Sequence, residues 1–336
     1  MAHAKDTLLD HSAFAVADVY EYQHAKMYMT YFCQGVSGKI YQIKSLYRDH
    51  SPTIIENPLA HCQVSVASPA AASGTPLATV VHYDGPGVPT VHLFFLGTSS
   101  KIEEIVWVNG EKTGHNFLNI QAATNSDLSV ISWRQDKGKT LMKIFFQAPD
   151  GSIQEYDNMG SDSWQRLGDS LYDFDSSSTH THEKPLSGTS LAFVNLSLDR
   201  PNLRGFWQAA SSNAIVEGSS QGLDWTIKGR TVEVFPPHIP IAAAWEGKRT
   251  DPKTVLYHIA DRDIFKTVIG NKAEKISTIP ADEGSRIAVN VSPSDGGVQI
   301  IASGAKHIIR RVFPKNGEGW QSPHRIVLET SSPLAN

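Results

Sequence analysis

Short runs in which apolar and polar residues alternate dominate the chain, and they recur in sets of four. The clearest set is LSVISW from Leu128, MKIFFQ from Met142, IQEYDN from Ile153 and WQRL from Trp164, with the turn APDGS between the second and third runs. A two-residue period bounded by Gly, Ser, Asn and Asp predicts β-strands, because successive side chains of a strand point to opposite faces. Related sets precede and follow it. YMTYFCQ from Tyr28 and GKIYQ from Gly38 belong to the first, and LATVVHY from Leu77, VHLFFL from Val91 and SKIEEIVW from Ser100 to the second. LAFVNL from Leu191, LRGFWQ from Leu203 and AIVEG from Ala214 form the fourth, PIAAAW from Pro240, VLYH from Val255 and DIFKTV from Asp263 the fifth, and IAVNV from Ile287, VQIIA from Val298 and HIIRRVF from His307 the sixth.

Aligned on the position four before the glutamine of the second run, the anchors are Thr30, His92, Lys143, Arg204, Thr254 and Val298, spaced by 62, 51, 61, 50 and 44 residues. A unit of about 40 to 50 residues holding four short strands is a β-propeller blade. The expected fold is therefore all-β: a single six-bladed propeller over 1–336, with blades at 12–58, 74–120, 126–170, 188–230, 238–280 and 284–330. The wider spacings predict asymmetric inserts at 57–75, rich in Pro, Ala and Ser, and at 169–187, both read as loops.

Composition narrows the function classes. A length of 336 residues would suggest two domains at about 150 residues each, and the repeats replace that with one ring. Charged residues make up 19% of the chain, below the usual level of about 25%, as expected where blades bury most positions against each other. A net charge of −4 with no long basic block offers no electrostatic footprint for nucleic acid or an anionic membrane. The two cysteines, Cys33 and Cys62, are too few for a disulfide framework, though one bridge between them is open. The start MAHAKDTLLDHSAF lacks a signal-peptide pattern, which predicts a cytoplasmic chain, or a secretory-pathway one if this is a rebuilt mature form.

Motif searching adds little conventional chemistry. Gly168-Asp169-Ser170-Leu171 spells a hydrolase string but stands between blades without a following helix, and His180-Thr181-His182-Glu183 lies in a Ser/Thr-rich insert. With no Gly-rich nucleotide loop and no zincin string, neither a cofactor nor a metal is expected. More informative are pairs at matched places on the second and third strands: His92 with Glu104, Lys143 with Glu155, and Arg204 with Glu217. A cationic donor beside a carboxylate can hold a polyol through charge-assisted hydrogen bonds while a nearby ring covers its apolar face. Trp107, Trp133, Trp164, Trp225 and Trp245 are the candidate rings.

The R-x-[YF]-[YFW]-Q strand, the I-x-E strand and the closing Trp, repeated over nearly the whole chain, resemble those of the fungal fucose-specific lectins. That resemblance implies a six-bladed propeller with fucose sites between blades, each using the Arg of the second strand, the Glu of the third and neighbouring aromatics. Arg204 with Glu217 matches fully, while Lys143 with Glu155 and His92 with Glu104 match in part. Thr30 with Gln42, Thr254 with Lys266, and Val298 with Arg310 carry no such pair.

Eroded sugar pairs and uneven inserts also make the chain similar to lectin-like hetero-Diels-Alderases of fungal tropolonic sesquiterpenoid biosynthesis. That likeness implies a cofactor-independent pericyclase joining a tropolone o-quinone methide to a humulene-type sesquiterpene. Arg204 and Lys143 would then be donors to the heterodiene carbonyl, with Glu217 or Glu155 as acid/base partner, His92 and Glu104 as further substrate contacts, and the tryptophans as stacking walls. Small apolar or tropolone-type molecules are the partners on this reading and a fucosylated glycan on the other. A homodimer is compatible with either.

Overall fold

The computed structural model describes residues 9, 12–21, 26–47, 62–68, 71–83, 87–134, 139–158, 163–166, 184–197, 200–221, 225–248, 251–269, 271, 273–276, 281, 284–291, 298–304 and 307–313. They form six antiparallel sheets. The first holds β1 (Phe14–Glu21), β2 (Lys26–Gln34), β3 (Ile40–Tyr47) and β4 (Cys62–Ser68), and the second β5 (Leu77–Tyr83), β6 (Pro89–Leu96), β7 (Lys101–Val108) and β8 (Glu111–Gln121). The third holds β9 (Leu128–Arg134), β10 (Thr140–Gln147), β11 (Ile153–Asn158) and β12 (Trp164–Arg166). The fourth holds β13 (Ala192–Asn195), β14 (Leu203–Gln208), β15 (Ala214–Ser220) and β16 (Trp225–Val234). The fifth holds β17 (Ile241–Lys248), β18 (Asp251–Ala260), β19 (Asp263–Val268) and β20 (Glu274–Lys275), and the sixth β21 (Ile287–Val291), β22 (Val298–Gly304) and β23 (His307–Phe313). Strands within a sheet pair in sequence order.

The sheets close a ring. Each first strand touches the first strand of the sheet on either side, β1 meeting both β5 and β21. All six line an axial pocket of about 150 Å³, where Ala15, Ala78, Ala192, Ala242 and Ala288 supply the small side chains that a crowded axis requires. Across it, Arg286 of the sixth sheet reaches Asp127 of the third at 3.3 Å. One apolar cluster fills each junction between neighbouring sheets, including the closing one, where Phe14, Tyr31 and Tyr41 pack on Ala288 and Ile301. The chain is thus a β-propeller, with five four-stranded blades and a sixth of three strands among the described residues. No described helix is long and apolar enough to cross a membrane.

Two side chains recur from blade to blade, one fastening a blade's first strand to its own second and the other tying that blade to the next. A hydroxyl just before a first strand accepts the backbone N–H at the end of the second strand: Ser12 from Gln34, Thr75 from Leu96, Ser126 from Gln147 and Thr189 from Gln208, each at 2.8 Å. The glutamine then spans the junction. The Gln147 amide donates to the Gly151 and Leu186 carbonyls and accepts from the Gly188 N–H, while Gln34 bonds the Gly38 and Ala72 carbonyls and the Gly74 N–H. Gln208 repeats this with the Asn213 and Pro236 carbonyls and the Ile239 N–H. Gly74 and Gly188 have φ of 68° and 74°, a left-handed conformation in which glycine aims its N–H without a Cβ penalty.

The structure corrects one expectation about the inserts. Within 57–75, Cys62–Ser68 is β4, the outer strand of the first blade, so this blade runs past position 58. The Ala, Pro and Ser around CQVSVAS mask its own two-residue alternation. The loop 169–187 falls largely outside the described residues, as do the GDSL string and His180 to Glu183. Its last residues are held in the sheet, where Pro185 bridges Ala209.

Candidate functional site

Register places the three charged pairs in equivalent grooves. Arg204 on β14 and Glu217 on β15 lie two positions out of register on one sheet face, because Glu217 pairs Phe206 and Arg204 pairs Ser219. Lys143 pairs Asp157 while Glu155 pairs Phe145, and His92 pairs Val106 while Glu104 pairs Phe94. In the fourth blade the ladder between β15 and β16 shifts register between Glu217 and Gly218. The three pairs nevertheless differ in state.

In the second-blade pair both oxygens of the glutamate are occupied, while the buried His92 Nε2 has no hydrogen-bond partner among the described residues. His92 Nδ1 meets Glu104 Oε1 at 2.7 Å, and Asn116 Nδ2 donates to the other carboxylate oxygen at 2.8 Å. The His92 ring lies between His82 and Phe94, with ring centroids 4.9 and 6.3 Å away. Trp164, from the next blade, stands edge-on to Phe94 at 5.5 Å.

The third-blade pair is sealed. Lys143 is only 2% exposed and its ammonium contacts Glu155 and, at 3.0 Å, Asp157. The second Glu155 oxygen accepts from Trp225 Nε1 of the fourth blade at 2.8 Å. Beneath the cation, the Trp133 ring centroid lies 5.9 Å from Nζ. Burial pulls Lys143 below the ordinary lysine range against the opposing charge of Asp157. Burial likewise raises the Asp157 carboxyl, opposed by Lys143.

The fourth-blade pair is open. Arg204 and Glu217 side chains are 19% and 15% exposed and touch through Nε and Oε1 at 3.4 Å, longer than a good N–H···O bond. Among the described residues neither side chain has another hydrogen-bond partner. They line an open pocket of about 440 Å³, completed across the junction by Lys253, Thr254, Val268, Ile269 and Asn271 of the fifth blade. Such a cleft offers a planar cationic donor, a carboxylate acceptor and an aliphatic wall. It is large enough for a monosaccharide.

The tryptophans divide. Trp107 and Trp133 are buried in the clusters between blades, Trp107 against Phe32 at 5.3 Å, so they pack the ring and are not ligand walls. Trp164, Trp225 and Trp245 are half-buried, and Trp245 sits opposite Thr254. Sequence reasoning missed Asp157 and Asn116, the groups that complete the two closed pairs. Asp157 was legible in principle: two residues beyond Glu155 on a strand, it shares that side chain's face. Also missed was Glu246, which accepts from Lys266 at 2.7 Å and from the Tyr257 hydroxyl within the fifth blade. No cluster of three or more His, Cys, Asp or Glu able to hold a metal occurs among the described residues.

Comparison with known proteins bears on the family and the fold. The profile described as fungal fucose-specific lectin matches residues 15–299. The chain belongs to the fungal fucose-specific lectin family. A fucose-specific lectin of Arthrobotrys oligospora is 31% identical, the alignment covering 96% of this chain and 86% of that one. The crystal structure of AofleA from the same organism superposes with a TM-score of 0.74 at 21% identity, covering 96% of this chain and 88% of that one. Aleuria aurantia lectin, described as a six-bladed β-propeller with a fucose recognition mode, superposes with a TM-score of 0.75 at 19% identity, covering 98% and 99% of the two chains. The two structural matches establish the shared propeller fold.

Proposed function

We propose that this protein binds a fucosylated glycan in the pocket between the fourth and fifth blades, with no chemical conversion of the ligand. The observation that carries the reading is the Arg204 and Glu217 pair: loosely joined, open, and set in a pocket of about 440 Å³. Arg204 donates to ring and hydroxyl oxygens, Glu217 accepts from hydroxyls, and Val268 with Ile269 gives the sugar an apolar surface. Membership in a family described as fucose-specific supports the choice of sugar.

The cycloaddition reading has less in its favour. Of the residues it needs, Lys143 is sealed by two carboxylates, and Trp107 and Trp133 are core. The named relatives are lectins. Retention on fucose-agarose and titration with methyl α-L-fucoside test the proposal. A charge-assisted hydrogen bond is worth about 1.5 to 3 kcal/mol, so Arg204→Ala is expected to weaken binding by roughly one to two orders of magnitude. Turnover of a quinone-methide precursor with humulene above the protein-free rate, without fucoside binding, would reverse the assignment.

A further inference from the structure

We infer that the chain has one working saccharide pocket and that Asp157 is the residue that closes the second. The inference rests on the saccharide reading above and adds the valency of the site and the reason for it.

The third and fourth blades differ at one decisive register position. Opposite Lys143 stands Asp157, and opposite Arg204 stands Ser219. Each lies two residues beyond the groove's glutamate, on the same sheet face. In the third blade the additional carboxylate draws the cation into the sheet, where Asp157 and Glu155 share it. With Lys143 on one oxygen and Trp225 Nε1 on the other, both Glu155 oxygens are occupied from within the protein. A sugar hydroxyl entering that groove would have to displace both partners and pull a buried cation away from its carboxylates. Ser219 carries no charge to do this, so Arg204 stays at the pocket wall.

The second blade closes differently but with the same result, since His92 and Asn116 fill both oxygens of Glu104. In the remaining blades the ladder sets Thr30 with Gln42, Thr254 with Thr267, and Val298 with Arg311 at these positions, in place of the Lys266 and Arg310 expected from spacing, so none has the cation and carboxylate in place. One ligand per chain follows. A monovalent binder forgoes the gain of roughly 10² to 10⁴ that linked sites confer on a multivalent surface, and a lone chain does not cross-link glycans.

Isothermal titration of the full chain with methyl α-L-fucoside decides the matter. The expected stoichiometry is one per chain, with affinity weakened roughly ten- to a hundredfold in Arg204→Ala and the count raised to two per chain in the double variant Lys143→Arg, Asp157→Ser. A wild-type stoichiometry of two or more, or wild-type affinity retained in Arg204→Ala, overturns the single-site claim. A correctly melting double variant that still binds one sugar overturns the role of Asp157. Should that variant fail to fold, Asp157→Asn alone replaces it, and an unchanged count there overturns that role equally. Wild-type protein that binds no fucoside at millimolar concentration overturns the saccharide reading itself, which separates that failure from an incorrect count.

Discussion

Replacing Gln208 with leucine removes a junction staple while nearly preserving its volume. Gln208 is fully buried and makes three side-chain bonds: to the Asn213 carbonyl at 3.0 Å, to the Pro236 carbonyl at 2.9 Å, and from the Ile239 N–H at 3.0 Å. A net 0.5 to 1.5 kcal/mol per bond gives about 3 kcal/mol, and leaving the buried Ile239 N–H without a partner adds about 1 kcal/mol or more. With an unfolding entropy of about 2.1 cal/mol/K per residue, a chain of 336 residues has a total of about 0.7 kcal/mol/K. The melting temperature of Gln208→Leu should therefore fall by about 6 °C. Differential scanning calorimetry measures it, with Gln121→Leu as the control. Gln121 donates to the Ser99, Ser100 and Ala122 carbonyls but is exposed, so water replaces its bonds and the shift should stay within about 1 °C. Equal shifts in the two variants, or less than 2 °C for Gln208→Leu, would refute the idea that the buried amide holds the blades together.

Three further outcomes follow from the same packing. Burial pushes His258 down to about 4, while the unfolded chain titrates near 6.5, so between those values the unfolded state binds the extra proton. The fold should lose about 3 kcal/mol as pH falls from 6.5 to 4, and denaturant titrations of His258→Gln should show that loss gone; an unchanged acid slope would count against it. A Cβ at Gly205 would lie 2.3 Å from the Phe193 ring opposite, so Gly205→Ala should destabilise by about 1 to 3 kcal/mol in urea unfolding, and a neutral result would mean the ring has room to move. Lys143→Met strands Glu155 and Asp157 as buried carboxylates and should cost about 3 to 5 kcal/mol at pH 7, with part of the loss recovered in acid as those groups protonate; a loss independent of pH would contradict the ion-triad description.

The propeller was legible because its information is local and repeated. Each blade offers two-residue alternation, turn residues and a recurrent second strand, and six weak signals recurring every 44 to 62 residues add to a strong one. Cys62–Ser68 was hidden because seven alternating residues sit among Ala, Pro and Ser that favour loops. The charged pairs were legible as pairs, but their state was not. Whether Lys143 faces a ligand or a second carboxylate depends on which residue the ladder sets opposite it, and Trp225 reaches Glu155 from 70 positions away. No reading of one column at a time contains either fact.

The repeats also carry two independent sets of columns, and this explains how sites can be lost without losing the ring. The hydroxyl and glutamine columns serve the backbone: Ser12 fastens the end of β2 within the first blade and the Gln34 amide holds the first junction, although Thr30 and Gln42 there provide no sugar pair. Ser126 and Gln147 do the same in the third blade, although the groove on the same β10 strand is shut by Asp157. Where the glutamine column itself lapses, another group takes over. His258 occupies that place in the fifth blade, and the junction beside it is tied by Arg262, whose Nε donates to the Ala281 carbonyl at 3.0 Å while its own carbonyl accepts from the Ala281 N–H. The binding column faces the grooves, and although Glu155 also takes a bond from Trp225 across its junction, the hydroxyl and glutamine bonds do not depend on it, so substitution there changes what a groove holds while those bonds remain. A chain of this kind can keep six blades and a single open pocket, because the bonds that close the ring and the bonds that hold a ligand are made by different residues.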